Sequence, residues 1–72
     1  MRDTILGRVL EGDEDGVKYL DRLDAEATEL FEEAKYHRRA KFKDNEGRKF
    51  ILTRASAGHY VVAQSDGGSS WL

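Results

Sequence analysis

The chain has 72 residues, enough for one small domain, and no cysteine, which excludes a disulfide framework and a thiolate metal site. No apolar run approaches the roughly 20 residues of a membrane span, and the expected compartment is the cytoplasm. The net charge of −2 hides a split: residues 1–34 carry four cations against eleven acids, a net of −7, while residues 35–54 carry eight cations against two acids, a net of +6.

The first segment, residues 4–10, reads as either a fourth strand or a short helix. Ile5, Leu6, Val9 and Leu10 fit helical spacing, Asp3 is placed to cap and Gly12 to end it. Gly7 and the two β-branched residues count against the helix.

The clearest element follows. Val17, Leu20, Leu23, Ala27, Leu30, Phe31 and Ala34 recur at three- and four-residue steps, which predicts one long amphipathic helix over about residues 16–38. Asp13 and Asp15 supply N-cap oxygens, and Lys35, His37, Arg38 and Arg39 gather at the negative end of the dipole. Leu23-Asp24-Ala25-Glu26 reads as a fresh N-cap, so a break at Asp24 is an alternative to one continuous helix.

From Arg39 the period changes to two. Residues 39–43 and 48–54 alternate around Asp44-Asn45-Glu46-Gly47, a turn in which Asp favours the first position and Gly the left-handed one. The register sets Phe42 opposite Phe50, Ala40 opposite Leu52 and Lys43 opposite Lys49. A second loop, Ala55-Ser56-Ala57-Gly58, leads into residues 59–64, with Leu52 opposite Val62 and Thr53 opposite Val61. The fold expected is therefore α+β: the helix packed on a three-stranded antiparallel meander over about residues 38–64. Its packed face holds Ala40, Phe42, Phe50, Leu52, Tyr60 and Val62. Residues 1–64 form the domain, and residues 65–72 a Gly/Ser tail ending in Trp71-Leu72.

The function expected is that of a small non-enzymatic binding protein. Arg38, Arg39, Lys41, Lys43, Arg48 and Lys49 on the basic hairpin, beside Phe42, Phe50 and Tyr60, are placed to meet the phosphates of DNA or RNA. A winged-helix reading fails because the would-be recognition helix, residues 24–36, is acidic. The plainer reading of the same cations is that they solubilise an exposed sheet and block edge pairing. The alternative function is a protein-interaction module or inhibitor, as a homodimer or with another protein. It would use the acidic helix face, or the apolar strip of Ile51 and Val61 with Trp71 as an anchor.

Other chemistry is poorly supplied. Residues 11–16 resemble the first half of an EF-hand calcium loop, but Arg22 stands where that loop needs a bidentate Glu, so no metal is expected. His37 and His59 lack metal-ligand spacing, the serines lack an accompanying base, and no glycine-rich phosphate loop precedes a helix. Neither an enzyme activity with a small-molecule substrate nor a cofactor is expected.

Overall fold

The computed structural model describes residues 1–65. The chain is α+β, with one helical layer on one face of a mixed five-stranded sheet. Its elements are β1 (Arg2–Ile5), β2 (Arg8–Gly12), α1 (Glu14–Leu23), a 3-10 turn (Asp24–Glu26), α2 (Ala27–His37), β3 (Arg39–Lys43), β4 (Lys49–Ser56) and β5 (His59–Gln64). The sheet order is β1-β2-β5-β4-β3, antiparallel except where β2 runs parallel to β5.

The meander forms in the expected register: Phe42 opposite Phe50, Ala40 opposite Leu52, Lys43 opposite Lys49, Leu52 opposite Val62 and Thr53 opposite Val61. Three strands nevertheless understate the sheet. Residues 2–12 form a hairpin that extends it to five. Its turn is Leu6-Gly7, with φ of +52° and +80° between the paired Ile5 and Arg8. A two-residue turn with both central φ values positive matches the twist of antiparallel strands, and Asn-Gly is its usual signature. Leucine in the first position conceals it. Helical spacing in this segment is coincidental: Ile5 and Leu10 face the core, Leu6 is 45% exposed, and Val9 lies on the other face. Beyond the antiparallel strands, Ser65 still donates its amide to the Lys49 carbonyl at 2.8 Å.

The helix breaks at Asp24, where φ is +53° and ψ −119°. Asp13 caps α1, its Oδ1 accepting from the amides of Asp15 (3.0 Å) and Gly16 (3.2 Å). This carboxylate therefore completes a helix terminus, the structural reading of the acidic run at residues 11–16. The core lies between the helices and the sheet. Val17, Leu20, Ala27, Phe31 and Ala34 pack on Ile5, Leu10, Ala40, Phe42, Phe50, Leu52, Tyr60 and Val62, with Leu23 and Leu30 half-buried at its margin. Tyr19 stacks on Phe42 at 5.8 Å, and Phe31 meets Tyr60 edge-on at 4.9 Å.

Two glycines set how closely these layers approach. Gly12 has φ +128°, and a Cβ there would strike the Val62 carbonyl oxygen, which accepts the Asp13 amide at 2.9 Å. Gly16, in the first turn of α1, lets that helix rest directly on Val62 and Phe50. No helix among the described residues is long and apolar enough to cross a membrane.

Candidate nucleic-acid interface

Period-two alternation sends successive side chains to opposite sides of the sheet. The helix-free face therefore carries Arg39, Lys41 and Lys43 from β3 and Lys49, Ile51 and Thr53 from β4. Further across lie Val61 and Ala63 from β5, Val9 and Glu11 from β2, and Arg2 and Thr4 from β1. Arg39 and Lys43 are exposed; Lys41, Lys49, Ile51 and Val61 are half-buried. Thr53 Oγ1 donates to the Val61 carbonyl at 3.3 Å, and Glu11 Oε1 lies 3.0 Å from His59 Nε2. β3 is an edge strand, so its three cations also guard an open row of backbone groups against pairing with another chain.

Sequence and structure diverge on three points. First, Phe42, Phe50 and Tyr60 lie on the packed face, as the alternation expects, and so their rings point into the core and do not stand beside the cations. Among the described residues the strands present no Phe, Tyr or Trp on the helix-free face; the His59 imidazole, beside Glu11, is the ring they place there.

Second, Arg48 is engaged within the protein. Its guanidinium meets three carboxylates: Asp44 Oδ2 from Nε at 2.7 Å, Asp15 Oδ2 from Nη1 at 2.9 Å and Glu46 Oε2 from Nη2 at 2.6 Å. Asp44, with a side chain only 5% exposed, also accepts the backbone amides of Arg48 (2.8 Å) and Glu46 (3.0 Å) through Oδ1. Burial alone would raise the Asp44 pKa. The Arg48 amide and guanidinium, the Glu46 amide and the Arg48 charge together outweigh it and hold the carboxyl below its ordinary value. The Asp44 hydrogen bond, foremost, and the charges of Asp15, Asp44 and Glu46 raise the Arg48 pKa against the opposing effect of burial. Arg48 thus ties the β3–β4 loop to the start of α1. Reading each cation by residue type missed this. The cue was the turn itself, because closing it on Asp44 brings Arg48 directly across, with the Asp44 amide donating to the Arg48 carbonyl at 3.0 Å.

Third, the remaining cations are spread along β3. Arg38, the left-handed cap of α2 at φ +76°, and Arg39 lie at one end of that strand, and Lys43 and Lys49 at the other. Ile51 and Val61 share the helix-free face as expected, whereas Trp71 lies outside the described residues.

The layers also differ in charge. Asp21, Asp24, Glu26, Glu29, Glu32 and Glu33 are exposed on the helical side. On the helix-free face, five strand cations (Arg2, Arg39, Lys41, Lys43 and Lys49) stand against Glu11. Comparison with protein-family models, with curated proteins and with solved structures finds no match to this chain.

Proposed function

We propose that the protein is a small non-enzymatic binding domain that engages the phosphate backbone of DNA or RNA through the β3–β4 side of its helix-free face. Arg39 and Lys43 make the principal contacts, with Lys41, Lys49 and Arg38 beside them. What supports this reading is the difference in charge between the two sides of the sheet: the strands present five cations against one acid on the face no helix covers, whereas the helices carry eight acids against three cations. Such a surface steers a polyanion toward the helix-free face. Phosphate contacts hold register and carry no base information, so binding through these cations is sequence-tolerant.

The test is an amide NMR titration with a short DNA duplex at low and moderate salt. Shifts confined to Arg38, β3 and the first half of β4, fading as salt rises, are expected. Arg39→Glu with Lys43→Glu should abolish them and leave the fold intact, since both side chains are exposed. Unmoved resonances, or unchanged binding by the double variant, would refute the reading.

A second reading has an observation of its own. Ile51, Ala63 and Val61 form a short apolar strip on the helix-free face, bounded by the Glu11–His59 pair and suited to docking a protein partner or a second copy. It requires a concentration-dependent mass in sedimentation equilibrium or capture of a specific protein, and Ile51→Asp should abolish either.

A further inference from the structure

A second group of cations converges on the helical side, at the end of the sheet where β4 turns into β5. There Arg8 from β2, Lys35 from α2 and Arg54 from β4 line a cleft of about 280 Å³ with Glu32, Tyr36, Tyr60 and the Ala57-Gly58 turn. The three cations lie far apart in sequence. The parallel pairing of β2 with β5 brings Arg8 to the same end as Arg54, and α2, packed on β3 and β4, brings Lys35 to the same cleft.

The Arg8 side chain is held in place. Its guanidinium sits over the Phe31 ring at 5.0 Å, and Nη1 donates to the Leu6 carbonyl at 3.3 Å. Lys35 Nζ lies 5.5 Å from the centroid of the Tyr36 ring, which stands 70% exposed at the rim. Among the described residues none of Arg8, Lys35 and Arg54 forms an ion pair, and Glu32 is the one carboxylate lining the cleft. The contrast is the cleft between α1 and the β3–β4 loop, where the Arg48 charge is already matched by three carboxylates. Three cations gathered in a concavity against a single carboxylate repel one another and concentrate a positive potential, which a compact anion relieves. Arginine forks suit the oxygens of phosphate, and lysine adds a point charge.

We propose that this cleft is a binding site for a phosphate group, held by Arg54 and Lys35 with Arg8 as the preset partner beneath. The phosphate belongs either to a free ligand or to a nucleic-acid backbone, and the two sources share this chemistry. The proposal rests on neither Arg39 nor Lys43 and stands apart from the interface on the other side of the sheet.

The experiment titrates the full chain with sodium phosphate at fixed ionic strength, balanced with chloride, and follows amide shifts. Saturable shifts at Arg8, Lys35, Arg54 and Gly58 are expected. Arg54→Gln and Lys35→Gln should each weaken the apparent affinity by about tenfold, the scale of one charge-assisted hydrogen bond. Neither side chain is buried, so both variants should fold. A drift that does not saturate and matches that in chloride alone, or an affinity unchanged in both variants, would overturn the proposal. A short duplex added to the phosphate-loaded protein identifies the source. Displacement of phosphate from these amides assigns the site to a nucleic-acid backbone, and phosphate that stays bound assigns it to a free ligand. The binding of duplex at Arg39 and Lys43 is scored separately, on β3.

Discussion

Gly16→Ala sets helix propensity against packing, and the structure decides which prevails. Glycine in a helix is worse than alanine by at most about 1 kcal/mol, and less in a first turn. A Cβ on Gly16 would lie 2.8 Å from Val62 Cγ2 and 3.0 Å from Phe50 Cδ1. The nearer contact falls about 0.7 Å short of the separation at which carbon atoms attract. Neither neighbour can yield into solvent, as Val62 is 1% exposed and Phe50 is fully buried. Nor can α1 lift freely, because Asp13 caps its start and Arg48 ties Asp15 to the β3–β4 loop. Overpacking of this kind costs about 1–3 kcal/mol, so the net expectation is a loss of about 1–2 kcal/mol. For a domain of this size that lowers Tm by roughly 5–15 °C. Thermal melts followed by circular dichroism, with urea unfolding for the free energy, measure it. The decisive arm is a double-mutant cycle with Val62→Ala, which opens room for the new methyl group. In that background Gly16→Ala should cost far less or turn favourable, giving a coupling of about 1–2 kcal/mol. A raised Tm in the single variant, or the same loss in both backgrounds, would refute the close approach of α1 to the sheet.

Two further expectations concern turns. Leu6→Asn should stabilise the fold by about 0.5–1 kcal/mol, because asparagine tolerates the positive φ of the β1–β2 turn and the side chain replaced is 45% exposed; chemical denaturation measures the gain. The Asp44 carboxyl is held below its ordinary pKa in the folded chain, so its ionised form contributes stability that is present above the unfolded value of about 4 and lost as pH falls through the folded one. Asp44→Asn should therefore melt below the wild type at about pH 7, and the difference should narrow as pH falls below about 4. A gap that persists in acid would mean that the carboxylate charge is not what the loop uses.

Much of the local structure was legible because it depends on neighbours in sequence. The stripe from Val17 to Ala34 identified the buried side of the helices, and the acidic cap at Asp13 its start. The Asp44 to Gly47 turn fixed the β3–β4 register before any packing was known. Arg39, Lys41 and Lys43 were placed on a common face by alternation alone. The N-terminal hairpin was not legible in the same way, since Leu6-Gly7 lacks the side chain that usually announces its turn type.

Tertiary structure decided everything that needed two distant segments to meet. No turn connects β2 to β5; their parallel pairing is favoured by the burial of Leu10 and Ile5 against the helices, and it requires Gly12 to pass close to Val62. That pairing brings Arg8 to Arg54 and Lys35, and the docking of α1 brings Asp15 to Arg48. The chain alone determined the periods, caps and tight registers, because these follow from steric and hydrogen-bonding rules acting over a few residues. Which charges lie in contact, and which stay uncompensated, depends on how the layers close over the core. Burial that is proportional to apolar area has no direction along the sequence, so residue types and spacing do not specify those partners.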